Sequence, residues 1–156
     1  MTPRIDNPSA LFPAGIKAMM TLEQALHAAG LDSVLLELVK LRASQINGCA
    51  FCIHMHATFL RRHEVAEMKL YMLDAWREST LYSARERAAL GWTEALTLLA
   101  ETKAPDRDYE ALREQFSDEE QVQLTLAIGA INTWNRLQVG FRAAHPPEPE
   151  EHHAVD

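Results

Sequence analysis

The chain reads as an all-α protein, a single-domain bundle of about six to eight helices, and three observations carry that expectation. Apolar residues recur at helical spacing almost from end to end, and no segment alternates apolar with polar residues as a half-buried strand would. Two Ser-x-x-Glu capping boxes, Ser83 with Glu86 and Ser117 with Glu120, announce long helices. Gly30 and the pair Asn47 and Gly48 stand where helices end, since both can hold the backbone of a C-terminal cap or turn.

Taken in order, a start containing Pro3, Pro8 and Pro13 gives way to a helix over residues 14–29, closed by Gly30. A second helix runs from Asp32, as N-cap, to Ile46, and the turn at Asn47 and Gly48 lets the chain re-enter a third helix near Cys49. That third helix carries Ile53, Ala57 and Leu60 at core-like spacing and ends on Arg61, Arg62 and His63, cations suited to its negative dipole end. Residues 64–76 form one or two short helices. In the Ser83-capped helix Ala88, Trp92, Ala95 and Leu99 make one buried stripe, which reads as core and not as a cofactor box. Pro105 breaks the chain, and residues 106–115 make a short helix.

The last helix, over residues 117–143, is apolar round most of its circumference from Val122 to Ile131, interrupted by Gln123, Thr125 and Gly129. Such a helix wants neighbours on several sides, which implies a central position or burial against another subunit. Beyond the domain at residues 1–145, the stretch 146–156 combines Pro146, Pro147 and Pro149 with Glu148, Glu150, Glu151 and Asp156, the composition of a disordered tail.

The 156 residues suit one domain, and 15 Lys plus Arg against 22 Asp plus Glu leave a net charge of −7. No basic cluster offers a footprint for a phosphate backbone, so nucleic acid is not an expected partner. No run approaches the ~18 apolar residues of a membrane span, and the prolines interrupt any secretory h-region. The cytosol is the expected compartment, where a lone Cys-x-x-Cys pair serves redox catalysis or metal binding more often than it staples a fold.

Chemistry concentrates in Glu37, Cys49, Cys52 and His56, which form E-x11-C-x-x-C-x3-H and include both cysteines of the chain. A helix beginning near Cys49 surrounds the first thiol with backbone N–H groups and the positive dipole end, which favour thiolate. Cys52 and His56 follow on the same helix stripe, so sulfur and imidazole can meet. Glu37 lies about two turns before the end of the preceding helix, which the tight turn folds back against the third. Set among Leu35, Leu36, Leu38 and Val39, its carboxyl is expected to be partly buried, with a raised pKa suited to proton exchange near neutrality.

These residues resemble the core motif of the alkylhydroperoxidase D-like branch of the carboxymuconolactone decarboxylase family. The wider run through Trp76, Arg77, Glu78, Ser79, Ser83, Arg85, Glu86, Arg87, Trp92, Thr93, Glu94 and Ala95 is similar to its single-domain members, so the likeness spans about residues 10–143. The resemblance implies a homo-oligomer, trimeric or hexameric, with thiol-dependent peroxidase activity towards a hydroperoxide; no cofactor or metal is expected. One thiolate attacks the peroxide, the other resolves the sulfenic acid as a disulfide, and Glu37 and His56 move protons. Cys52, one turn from His56, is assigned the attack; Cys49, at a more exposed helix start, resolves and faces a dithiol reductant, a dihydrolipoyl or thioredoxin-like protein. One position departs: the family's histidine before the second cysteine is Phe51 here, which implies weaker peroxidase turnover or another substrate. His54 does not replace it, lying about 200° round the helix from Cys52.

Plainer readings stand beside these. Glu37 has Lys40 three residues on and can form an exposed ion pair worth ~0.2–0.5 kcal/mol. The thiols with His56 or His54 keep a zinc site open, although a fourth ligand is missing and His152 and His153 lie in the tail. Met19, Met20, Met55, Met68 and Met72 read as packing or interface filler. A general disulfide oxidoreductase, a metal-binding scaffold and a lactone decarboxylase remain the competing functions.

Overall fold

The computed structural model describes residues 2–145, and the tail expected over residues 146–156 lies outside them. Among the described residues the secondary structure is helical throughout, in the order α1 (Pro8–Leu11), α2 (Pro13–Ala28), α3 (Ser33–Ile46), α4 (Ala50–Arg62), α5 (Glu67–Tyr71), a 3-10 turn (Met72–Ala75), α6 (Ala84–Thr97), α7 (Leu99–Thr102), α8 (Asp106–Gln115) and α9 (Asp118–Phe141). Every helix expected from the sequence is present. The single turns α1 and α7 are additions that four residues of pattern cannot signal.

Caps fix the boundaries. Asp32 accepts the Leu35 N–H at 2.8 Å and starts α3, and both capping boxes close in both directions, at Ser83 with Glu86 and at Ser117 with Glu120. Each such cap contributes roughly 0.5–2 kcal/mol. Gly48, at φ +65°, holds the left-handed turn between α3 and α4.

Helix α3 is the axis of the bundle and packs on α4, α6 and α9. Leu35 through Leu41 are buried without a break, so α3 has neighbours on every side. Leu35, Leu36 and Val39 join Ala88, Trp92, Leu112, Leu124 and Ile128 in one core. Leu38 and Leu41 turn to a second, with Leu60, Leu73, Trp76, Tyr82 and Leu90. The last helix also has the neighbours expected of it, since α9 packs on α2, α3, α4, α6 and α8. Helix α9 buries Leu124, Ala127, Ile128 and Ile131 but leaves Val122, Leu126 and Val139 in solvent.

The Ser83 stripe is also corrected at its end: Ala88, Trp92 and Ala95 are buried, but Leu99 is 50% exposed, because α6 stops at Thr97 and the chain turns before reaching it. No helix among the described residues is long and apolar enough to cross a membrane.

Candidate active site

The turn after α3 carries the first thiol into place. Asn47 donates through Nδ2 to Asn132 Oδ1 at 3.0 Å and Asn135 Oδ1 at 2.9 Å, and Asn135 donates to Ser44 Oγ at 3.0 Å, so side chains of α9 pin this turn. Cys49 is then the N-cap of α4, and its sulfur accepts the Cys52 N–H at 3.4 Å. Cys49 and Cys52 are joined as a disulfide, with Cα atoms 5.4 Å apart, inside the range that such a bond spans. The greater exposure expected at Cys49 is not found: each cysteine is 1% exposed, because Ala43, Ile131, Phe51 and Trp134 close over the helix start. What separates the two is direction, since Cys52 lines a cavity whose wall does not include Cys49.

One turn after Cys52, His56 is 3% exposed, and its Nδ1 lies 2.6 Å from Glu37 Oε2. The other ring nitrogen, Nε2, is buried with no hydrogen-bond partner. Glu37 itself is 5% exposed, and its second oxygen accepts from Lys40 Nζ at 3.3 Å. The ion pair of the plainer reading therefore exists, but it is buried: Lys40 is 3% exposed and also reaches Glu23 Oε2 of α2 at 2.8 Å. Glu23 in turn accepts the Trp134 indole N–H at 3.1 Å.

This environment overturns the expected rise in the Glu37 pKa. Burial does push the carboxyl up, but the hydrogen bond and charge of His56, together with Lys40, outweigh it and hold the group below its ordinary value of 4.5. Glu37 is thus a carboxylate at neutral pH. It fixes the imidazole ring by accepting from Nδ1–H, which leaves Nε2 as the nitrogen able to take or give a proton.

A cavity of about 460 Å³ is lined by both His56 and Cys52. Phe51, Met55 and Phe59 of α4, Met20 of α2 and Ile131 and Trp134 of α9 make its apolar wall. Met20 and Met55, read from the sequence as filler, stand half-exposed at its rim. Phe51 puts a ring on the wall where the family resemblance expects a histidine. His54 is instead stacked on His145, with centroids 5.3 Å apart, and His63 on Phe59 at 3.9 Å. Among the described residues no group of three His, Cys, Asp or Glu side chains is placed to hold a metal ion.

Of the four residues singled out by the motif, Glu37 pairs with His56, Cys49 with Cys52, and Glu37, Cys52 and His56 line one cavity. Glu23, Lys40 and Trp134 were missed as members of the site. Lys40 had a signal, its spacing from Glu37, whereas Glu23 and Trp134 arrive from helices distant in sequence.

Comparison with known proteins places the chain. Residues 13–95 match the carboxymuconolactone decarboxylase family. The uncharacterized protein YdfG of Bacillus subtilis (strain 168) is 42% identical over 134 residues, which cover 85% of this chain and 91% of that one. A crystal structure from Agrobacterium tumefaciens, ATU0492, a protein of unknown function with a provisional antioxidant-defence AhpD label, superposes with a TM-score of 0.90 at 50% identity, covering 94% of this chain and all of that one (100%). An uncharacterized peroxidase-related protein from Silicibacter sp. TM1040 shares the fold at 24% identity and a TM-score of 0.77, over 98% of this chain and 80% of that one. The chain belongs to the carboxymuconolactone decarboxylase family, as an alkylhydroperoxidase D-like member.

Proposed function

We propose that the protein is a thiol-dependent peroxidase that reduces an organic hydroperoxide with electrons from an external dithiol. The observation that carries this reading is the Cys49–Cys52 disulfide, whose Cys52 lines an apolar cavity together with His56, a buried histidine with one ring nitrogen unpartnered. In the reduced protein, Cys52 passes its proton to His56 Nε2, and Glu37 accepts from Nδ1–H and balances the imidazolium. The Cys52 thiolate attacks the terminal peroxide oxygen; the S–O bond forms, the O–O bond breaks, and the departing alkoxide takes the proton from Nε2 to leave as an alcohol.

Cys49, its thiolate favoured at the N-terminus of α4, then attacks the Cys52 sulfenic acid. The S–S bond forms and hydroxide leaves as water with the thiol proton. A dithiol such as a dihydrolipoyl or thioredoxin-like protein returns two electrons and two protons, and the cycle closes. The chemistry suits a reducing compartment such as the cytoplasm. The proposal includes assembly into a homotrimer or hexamer, for which Val122 and Leu126, one turn apart and exposed on α9, offer an apolar face.

The test is direct. One equivalent of cumene hydroperoxide should remove both thiols of the reduced protein, with mass spectrometry locating a Cys49–Cys52 bond that a dithiol reverses. Turnover with excess dithiol should vanish in Cys52→Ser, and unchanged turnover in that variant would sink the proposal. Phe51 on the cavity wall favours one second reading, a general disulfide oxidoreductase. That protein would exchange disulfides with a dithiol yet leave the hydroperoxide untouched.

A further inference from the structure

The proposed cycle uses Glu37, Cys49, Cys52 and His56, and leaves unused the buried ammonium of Lys40 and the second carboxylate bound to it, Glu23. Taking a lysine out of water is costly unless its partners are built around it. Here they come from two helices: Glu23 Oε2 of α2 at 2.8 Å and Glu37 Oε1 of α3 at 3.3 Å. Glu23 is held from the far side as well, by the Trp134 indole of α9 at 3.1 Å. The chain Trp134, Glu23, Lys40, Glu37, His56 is therefore continuous and ends at a histidine that lines the cavity and whose Nε2 is buried without a partner.

Charge counting gives this chain a consequence. With His56 neutral, two carboxylates against one ammonium leave the cluster with one net negative charge; one proton on His56 brings it to neutrality. Without Glu23, Lys40 would belong to Glu37 alone and the cluster would already be neutral. Resting on the thiol chemistry proposed above, we infer that Glu23 and Lys40 are positioning residues whose opposed charges set the pH at which Cys52 becomes reactive. They do so through Glu37 and His56, without touching substrate.

The other groups facing this point are few. Along the cavity, α2 presents Glu23 and His27, α3 presents Glu37 and Lys40, α4 presents Cys52 and His56, and α9 presents the uncharged Ile131, Trp134 and Gln138. His27 is exposed to solvent, where water and salt screen it from the buried cluster. Glu23 and Lys40 are thus the enclosed charges of the cavity outside the four motif residues.

The experiment reads thiol reactivity alone, so it does not depend on the substrate being a peroxide. The reduced full-length protein is alkylated with iodoacetamide across pH 5 to 10, and mass spectrometry follows the adduct at Cys52. Removing the negative charge in Glu23→Gln makes every proton of the cluster easier to lose, so the half-point of alkylation should move to lower pH. Removing the positive charge in Lys40→Met should move it to higher pH. Each shift should be about one pH unit, as for a charge one partner removed from the titrating site. The double variant restores the net charge and should return close to the unmodified protein.

Opposite shifts that cancel are not expected of side chains that only brace the fold. If Lys40→Met does not fold, Glu23→Gln decides alone, since glutamine keeps the size of the side chain and one acceptor oxygen while removing the charge. A half-point that stays put in Glu23→Gln, or two single variants moving in the same direction, would overturn the inference. A clean pair of opposite shifts in a protein that ignores cumene hydroperoxide would instead keep this inference and remove the peroxidase.

Discussion

Two enclosed carboxylates sit at the centre of two charge clusters in this small bundle, and they differ in what is left over. Glu94 of α6 accepts from Arg42 Nε at 2.9 Å, from the Trp76 indole at 2.9 Å and from Arg77 Nη2 at 2.7 Å. Arg42 also contacts Asp74, and Arg77 lies over the Trp76 ring. Both lowering cations are arginines, which stay charged at every working pH. Burial pushes the Glu94 carboxyl up, but the donors from Trp76, Arg77 and Arg42 outweigh it and hold it below its ordinary value. No buried side-chain nitrogen or oxygen of this cluster is left without a partner. Glu37 is likewise held low, yet its strongest partner is a histidine that can change charge, and that histidine keeps one buried nitrogen unpaired on a cavity.

The contrast separates a cluster that braces the fold from one that can do chemistry, although both look alike as lists of ion pairs. What distinguishes them is a titratable partner, an orphaned polar atom and space beside it.

The largest expected effect tests that contrast from the Glu37 side. Replacing His56 by Asn should slow hydroperoxide-driven disulfide formation by about 10²–10⁴-fold, the range for losing a proton-transfer group, and change the urea midpoint little. Stopped-flow measurement of thiol loss checks it; a variant within threefold of the parent would remove His56 from the mechanism. On the other side, Glu94→Ala leaves Arg42 without its main partner, so it should destabilise the protein by about 2–3 kcal/mol. Chemical denaturation measures this, and the rate of thiol loss in the surviving folded fraction should be unchanged within a few fold.

A smaller effect follows from pH. Both carboxyls have folded-state pKa values below the ordinary 4.5, so the stability that they contribute is complete above that value and is lost as pH falls through the lower one. Urea midpoints should therefore fall below about pH 4.5, and Glu94→Gln should flatten that fall. The smallest effect concerns the turn. Gly48→Ala places a side chain at φ +65° with open space around it, so only backbone strain remains, about 1 kcal/mol by thermal melting.

How far the sequence exposed these clusters depends on distance along the chain. Glu37, Cys49, Cys52 and His56 were legible because twenty residues hold them on two helices joined by one tight turn. The caps at Asp32, Ser83 and Ser117 were legible because a cap is a local bond. Glu23 and Trp134 were not, since only the docking of α2 and α9 against α3 brings them to Lys40. The direction of the Glu37 shift was misjudged for a different reason: local apolar neighbours announce burial, whereas the hydrogen bond and charge of His56, with Lys40 after them, outweigh it only once the two helices are docked. Leu99 failed the buried stripe because a helix end depends on what the next element packs against.

The asparagine clasp between the α3–α4 turn and α9 sets an order of events in biogenesis. Cys49 rides on a turn whose side-chain anchors, Asn132 and Asn135, leave the ribosome more than eighty residues later. The nascent chain therefore carries two thiols well before Ile131 and Trp134 can cover them. Burial of the pair is a late property of the molecule, acquired when the C-terminal helix docks, and an incomplete polypeptide would expose its cysteines to whatever electrophile it met first.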